Sequence, residues 1–119
     1  MQKTKQLLLH STPFVLGIIL SNLFWRSSLM LFLIYAVILF IVVATGKDQK
    51  AEFLIMIYGL VTGSIIEVAG TRVSGYQSFA RPDLFGIPYW LPVCWSYGFV
   101  VMKRVGLIIG TGSPWIAEA

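Results

Sequence analysis

Four apolar runs alternate with short polar segments along the chain. They extend from about Leu7 to Trp25, Leu29 to Thr45, Phe53 to Gly70 and Gly86 to Met102. Crossing a hydrocarbon core of about 30 Å takes roughly 20 apolar residues, and somewhat fewer where the bilayer thins. The pattern therefore predicts an all-α integral membrane protein with four transmembrane helices and a long loop over residues 71–85 between the third and fourth.

Composition supports one membrane domain over residues 1–119. The chain is 57% hydrophobic and 12% charged, and its mean hydropathy of +0.82 is far above that of ordinary soluble domains. A lone cysteine, Cys94, and a lone histidine, His10, give no internal disulfide and no metal-ligand spacing, so no metal or cofactor is predicted. A signal peptide at the N-terminus stays an alternative, although no small-x-small cleavage site follows the first run.

The basic residues flank the apolar runs instead of forming one stripe, so nucleic acid is not a predicted partner. If the N-terminus is cytoplasmic, six of nine fall inside and three outside. Inside are Lys3, Lys5, Lys47, Lys50, Lys103 and Arg104, and outside are Arg26, Arg72 and Arg81. The positive-inside rule then places both termini in the cytoplasm and the chain in the cytoplasmic membrane.

Glu67 is the main candidate for function. It lies near the end of the third run, where an ionised carboxylate is costly and usually marks a functional site. At 1.5 Å per residue it lies about 22 Å from Glu52 at the cytoplasmic face, in the outer third of the bilayer. Gly59 and Gly63 form a GxxxG pair that allows a neighbouring helix to approach closely. Glu67 is therefore predicted to face protein or ligand instead of lipid.

Several polar side chains are candidate partners of this carboxylate. Asn22 and Tyr35 lie at a similar predicted depth, and Asn22 is a candidate hydrogen-bond partner. Arg72 either pairs with the carboxylate or extends to the interface, and Arg81 and Asp83 pair with each other or with the site. A structural salt bridge that attaches the loop to the helix end is the alternative to a functional role.

Aromatic residues follow the loop. Trp90 and Trp95 lie in a segment interrupted by Pro88 and Pro92. Trp90 belongs either to an interfacial belt or to an apolar pocket whose aromatic faces stabilise positive charge. Trp95 lies deeper than a belt usually reaches, which favours the pocket. A carboxylic acid in such a pocket is a candidate general acid. The sequence contains no GxSxG, Walker or HExxH motif and no paired DxxxD aspartates.

One ordered set of residues resembles the central motif of the bacterioruberin-type carotenoid hydratase family. It consists of Glu67-x-x-Gly70, Gly75-Tyr76, Phe79, and Gly86-Ile87-Pro88 followed by Pro92 and Trp95. The match covers Gly63 to Trp95, roughly a quarter of the chain. Members usually carry a Pro-Phe-Gly-x-Tyr pattern where this chain has Gly75–Phe79, and they are longer.

The resemblance implies a membrane enzyme that adds water to a terminal double bond of an acyclic carotenoid or isoprenoid. Glu67 would protonate the alkene, Trp90 and Trp95 would stabilise the tertiary carbocation, and a polar loop group would position water. The predicted substrate site comprises Asn22, Tyr35, Arg72, Tyr76, Phe79, Arg81, Asp83, Trp90 and Trp95. Four helices would need a homo-oligomer or a partner membrane subunit to close a polyene pocket within the lipid bilayer.

Two other classes of protein share the gross features. Small multidrug transporters are four-helix dimers that depend on a membrane glutamate, although theirs is in the first helix. The second hypothesis is therefore a small dimeric proton-coupled transporter of hydrophobic compounds. The third is an accessory lipid- or pigment-binding subunit of a larger membrane complex, which suits a small aromatic-rich chain with a GxxxG face.

Overall fold

A computed structural model of the chain describes residues 2–115 and contains four α-helices. They are α1 (Gln2–Phe24), α2 (Ser28–Ala44), α3 (Gln49–Val68) and α4 (Trp90–Thr111), and one π-helical turn (Ala69–Val73) continues α3. Within residues 2–115 no strand is formed, and Leu84 and Ile87 make an isolated bridge before α4. The prediction of an all-α fold is confirmed.

Three helices are long and apolar enough to cross a membrane. They are α1, α3 together with its π-helical turn, and α4. Helix α2 is also apolar but has 17 residues, which corresponds to about 26 Å at 1.5 Å per residue. The fold is compatible with a membrane protein, and the prediction of a fourth span rests on α2.

Helix α4 lies at the centre of the bundle. It packs against α1, α2 and α3, whereas no Cα atoms of α1 and α3 lie within 8 Å of each other over the residues described. The core includes Tyr97, Val100 and Val101 of α4, which pack against Leu31 and Tyr35 of α2. Three helices therefore surround α4 and leave a gap between α1 and α3.

Two glycines allow α3 to approach α4 closely. A Cβ atom on Gly63 would overlap the ring of Trp95, and one on Gly59 would lie 2.8 Å from Cγ of Phe99. Helix interfaces in membranes commonly use small residues in this way. The GxxxG pair thus packs against α4 of the same chain.

Helix α4 begins later than the predicted segment 86–102. Phe85 and Gly86 have positive φ angles of 50° and 85°, which a continuous right-handed helix does not allow. Pro88 follows immediately, and the first helical residue is Trp90. Pro92 is tolerated because a helix has no internal acceptors for the N–H groups of its first turn.

Helix α4 also continues beyond Met102. Lys103 and Arg104, which we expected to follow its end, form ion pairs with Glu52 of α3 and remain inside the helix. The helix ends at Gly112, whose φ is 83° and whose N–H donates to the carbonyl of Ile108. These two charged residues do not end the helix, because their side chains have an acidic partner in the bundle.

The antiparallel helices place both described chain ends together. The ring of His10 on α1 contacts the ring of Trp115 edge-on, with centroids 5.9 Å apart. We call this end of the bundle, with the starts of α1 and α3, the terminal end. The opposite end, with residues 74–89, is the loop end.

Candidate functional site

Glu67 lies on the wall of an apolar cavity of about 360 Å³ between α1, α3 and α4. Aromatic and aliphatic side chains form most of the wall, among them Phe14, Ile18, Trp90 and Phe99. Of the described residues that line it, only Glu67 is charged. Because no Cα atoms of α1 and α3 lie within 8 Å of each other over the residues described, we infer that the cavity opens at the side of the bundle. We call it the Glu67 cavity.

Gln77 is the polar partner of Glu67. Its Nε2 donates to Oε2 of Glu67 at 2.5 Å and lies 3.4 Å from the Glu67 carbonyl oxygen. The backbone N–H of Gln77 donates to the carbonyl of Gly70 at 3.3 Å, so the chain folds back onto the end of α3. Sequence reasoning missed Gln77, although it is the only amide side chain in residues 71–85.

The π-helical turn after Glu67 shapes this end of α3. Thr71 Oγ1 lies 3.0 Å from the carbonyl oxygen of Glu67 and 3.2 Å from that of Val68. Tyr76 covers Gly70, where a Cβ atom would lie 2.8 Å from its ring. π-helical turns within α-helices frequently occur at functional sites. The turn holds the loop against the helix beside the carboxylate.

Trp90 and Trp95 come together with Glu67, since both line its cavity. Trp95 lies between α3 and α4 and contacts Phe99, with centroids 5.8 Å apart. Trp90 meets Tyr35 edge-on at 5.8 Å. Two aromatic faces therefore border the space beside the carboxyl group.

Tyr35 supports the cavity from behind. It is fully buried, and its hydroxyl donates to the carbonyl of Gly17 at 2.8 Å. Tyr97 lies beside it at 6.0 Å and places its hydroxyl 3.5 Å from the Pro13 carbonyl oxygen and 3.7 Å from Cys94 Sγ. These contacts connect α1 to α2 and α4.

Asn22, a candidate partner of the carboxylate, and Arg72, expected to pair with it or to extend to the interface, form no hydrogen bond or ion pair with Glu67 over the residues described. The exposed Asn22 amide donates to the carbonyl of Ile18 on its own helix at 2.7 Å. Arg72 is exposed, and none of the ion pairs formed by residues 2–115 involves it or Glu67. The side-chain hydrogen bond to the Glu67 carboxylate comes from Gln77, and the exposed Arg72 agrees with the alternative that it extends to the interface.

The loop residues Arg81 and Asp83 also do not pair with each other in the described part of the chain. Asp83 Oδ2 accepts a hydrogen bond from the backbone N–H of Tyr89 at 3.1 Å, before α4 begins. Phe79 and Arg81 line a smaller cleft of about 180 Å³ together with Trp25, Pro88 and Trp90. Trp90 thus borders both this cleft and the Glu67 cavity.

A buried ion cluster occupies the terminal end. Glu52 is fully buried, and its carboxylate accepts from Arg104 Nη2 at 2.5 Å and Nε at 2.7 Å. Lys103 Nζ lies 3.2 Å from both Glu52 Oε2 and Asp48 Oδ2. The sequence identified Glu52, Lys103 and Arg104 only as flanking charges. The sequence did contain a signal for this pairing. Glu52 directly precedes the third apolar run, Lys103 and Arg104 directly follow the fourth, and antiparallel helices bring these positions to the same end of the bundle.

Comparisons with protein families, with curated proteins and with solved structures gave no match to this chain. Over residues 2–115 no three His, Cys, Asp or Glu side chains are grouped as a metal site. The class of this protein therefore follows from the geometry of its own fold and site. It is a helical protein with membrane-length apolar helices and a carboxyl group in an aromatic-lined cavity.

Proposed function

We propose that this chain is an integral protein of the cytoplasmic membrane that adds water to a terminal double bond of an acyclic carotenoid or isoprenoid. The observation that carries the proposal is that Glu67 is the single charged residue among the described residues that line an aromatic-lined apolar cavity. All four helices cross the bilayer in this proposal, with both termini in the cytoplasm. The resemblance of the segment from Gly63 to Trp95 to carotenoid hydratases supplies the substrate class.

The size and opening of the cavity support a long substrate that binds by one end. Pockets that enclose whole small ligands measure about 300–1,000 Å³, and the Glu67 cavity, at about 360 Å³, is near the lower limit. A terminal isoprenoid unit would occupy it while the rest of the polyene extends through the gap between α1 and α3. A second copy or a partner subunit would cover that extension.

The chemistry needs one acid and a water. Glu67 transfers its proton to the less substituted carbon of the terminal double bond, the π electrons form the new C–H bond, and a tertiary carbocation forms at the chain-end carbon that carries two methyl groups. Water forms the C–O bond, and the resulting oxonium returns a proton to the Glu67 carboxylate. The net change is addition of one water, and Glu67 is regenerated.

The contacts at the carboxyl group support different roles for its two oxygens in the proposed reaction. Gln77 engages Oε2, and among residues 2–115 Oε1 accepts no hydrogen bond, so we assign proton transfer to Oε1. Trp90 and Trp95 border the same space, and aromatic faces stabilise a nearby cation by about 0.5–2 kcal/mol. Gln77 is the polar loop group that we place beside the attacking water.

The test is mass spectrometry of lipid extracts from cells that accumulate acyclic carotenoids and express the chain. We expect a product heavier by one water with the unaltered protein and none with Glu67→Gln. Glu67→Asp keeps an acid on a shorter side chain and should retain part of the activity. Equal amounts of folded protein, measured by size-exclusion chromatography in detergent, are the control.

Two results would contradict the proposal. Equal hydration by Glu67→Gln would exclude Glu67 as the acid. Absence of product from all three folded proteins would exclude hydration of these polyenes. In that case, pigment retained by the purified protein would indicate a binding subunit, and pH-dependent ligand binding lost in Glu67→Gln would indicate proton-coupled transport.

A further inference from the structure

A second cavity, of about 460 Å³, lies at the terminal end between α1, α2 and α4. Its walls are mainly aliphatic and include Leu16, Ile38 and Val101. His10, Arg104 and Trp115 also line it. The space is therefore amphipathic, with apolar walls and a polar rim, and it does not include Glu67.

Three cations surround Trp115 at this rim. Arg104 Cζ lies 5.0 Å from the centroid of the Trp115 ring, and Lys47 Nζ and Lys103 Nζ each lie 5.9 Å from it. The acidic groups in the ion cluster are Glu52 and Asp48. Among residues 2–115, three cations against two carboxylates leave a positive excess beside the cavity.

The groups at the rim are not equally available to a ligand. Two of the three hydrogen bonds that Arg104 makes go to Glu52, so its charge is largely neutralised. Lys47 is exposed and forms no ion pair among the residues described. The ring nitrogens of His10 make no hydrogen bond within residues 2–115, although the ring lines the cavity.

We propose that this cavity holds one acyl chain of an anionic phospholipid whose phosphate lies beside Lys47 and His10. Ammonium groups are common phosphate ligands, and a tryptophan at an acyl–headgroup boundary is typical of membrane interfaces. The aliphatic walls suit a hydrocarbon chain, and the positive excess selects an anionic headgroup over a zwitterionic one. The proposal requires that the chain lies in a bilayer and is independent of catalysis at Glu67.

The location agrees with the orientation proposed above. With both termini in the cytoplasm, the terminal end meets the leaflet surface that carries anionic lipid, and each basic residue there contributes about 1 kcal/mol of attraction. Such a lipid would contact α1, α2 and α4 together. It would therefore stabilise the packing of α1, whose residues are never fully buried within the bundle.

The experiment is native mass spectrometry of the full chain in a neutral detergent with dioleoyl phosphatidylglycerol or dioleoyl phosphatidylcholine at equal concentration. We expect one phosphatidylglycerol to be retained at least several-fold more than phosphatidylcholine. Lys47→Gln should reduce phosphatidylglycerol retention about fivefold. Lys50→Gln removes an exposed lysine at the same end that does not contact Trp115, so it should change retention little.

A second pair of variants tests the acyl-chain part. Leu16→Trp places a large ring where Leu16 lines the cavity, and it should abolish the preferred adduct. Val15→Trp makes the same change at the adjacent exposed residue, outside the cavity, and should preserve the adduct. Both residues are partly exposed, so neither variant is expected to disturb folding.

Three outcomes would overturn the proposal. Equal retention of the two lipids would exclude charge selection, and an undiminished adduct in Leu16→Trp would exclude the cavity as the acyl site. If glycerol phosphate alone competes as strongly as phosphatidylglycerol, the rim binds free phosphate and not lipid. None of these results affects the hydration test, because that test depends on Glu67.

Discussion

Glu52 and Glu67 lie on the same helix, yet the bundle gives them opposite surroundings. Glu52 is fully buried and its carboxylate is engaged by Arg104 and Lys103. Glu67 is half-buried, faces an open cavity and has a neutral partner, Gln77. The two cationic partners of Glu52 hold its carboxylate within the ion cluster. The Glu67 carboxylate, with a single amide partner, is more available to a ligand in the cavity.

Because of the ion cluster, we expect Glu52→Gln to lower the free energy of unfolding strongly. The change leaves the buried guanidinium of Arg104 without its counter-charge, and removal of one partner of a buried pair costs about 3–5 kcal/mol. The free energy of unfolding is measured by titration with sodium dodecyl sulfate in mixed micelles, followed by circular dichroism.

Glu67→Gln is the matched control for that measurement, because it makes the same chemical change on the same helix. It replaces one partner of a hydrogen bond with an amide, for which we expect a loss of about 1 kcal/mol. Equal losses in the two variants would contradict the distinction between a glutamate held in a buried ion cluster and one with a single amide partner.

At the scale of elements, the contact of α3 with α4 positions the site. Trp95 packs into the space that Gly63 leaves open, and the same indole lines the Glu67 cavity. The π-helical turn then directs the chain so that Gln77 returns to the carboxyl group. The spacing of α3 from α4 therefore determines the shape of the cavity.

This packing predicts that Gly63→Ala is destabilising. The added Cβ would overlap the Trp95 ring, and forced overpacking costs about 1–3 kcal/mol. The displaced indole should also reduce the yield of hydrated product. Unfolding in mixed micelles and the product assay give the two measurements.

Gly106→Ala provides the comparison on α4. A Cβ there meets no atom within 4 Å, and alanine is favoured over glycine inside a helix by about 1 kcal/mol. We expect unchanged or slightly raised stability and unchanged product. If the two alanine variants behaved alike, close packing at Gly63 would not be what positions α3.

At the scale of the whole molecule, the central position of α4 explains both cavities. Helices α1, α2 and α3 cover three sides of α4, and the fourth side is the gap that exposes the Glu67 cavity. The second cavity lies where α1, α2 and α4 diverge at the terminal end. One bundle thus has an apolar site near each end.

The four-span arrangement is tested by cysteine accessibility in cells. On a Cys94→Ser background, Lys5→Cys and Lys50→Cys should react with a membrane-impermeant maleimide only after permeabilisation. Arg26→Cys and Ser74→Cys should react in intact cells, because an even number of spans separates each pair. All four positions are exposed, so reactivity reports the side of the membrane.

Helix α2 is the element at issue in that experiment. If its 17 residues do not cross the bilayer, Lys50→Cys will react on the same side as Arg26→Cys and Ser74→Cys on the side of Lys5→Cys. That pattern would contradict the proposed topology and leave the three longer helices as the spans.

The sequence by itself determined the helical class and the approximate positions of the helices, because a run of apolar residues must either be buried in a core or span a membrane. It also indicated Glu67, since an acid in an apolar run is costly without a partner, and Trp90 and Trp95, whose aromatic faces can line an apolar pocket. Their roles stay predictions.

Only the tertiary structure decided which polar groups meet. Asn22 bonds to its own helix, Gln77 reaches Glu67 over ten residues of chain, and Arg104 binds Glu52 on another helix. These pairings depend on loop geometry and on how helices rotate about their axes, which periodicity does not record. The end of α4 was misplaced for the same reason, because a charge flanks a helix or lies within it according to the partners that other helices provide.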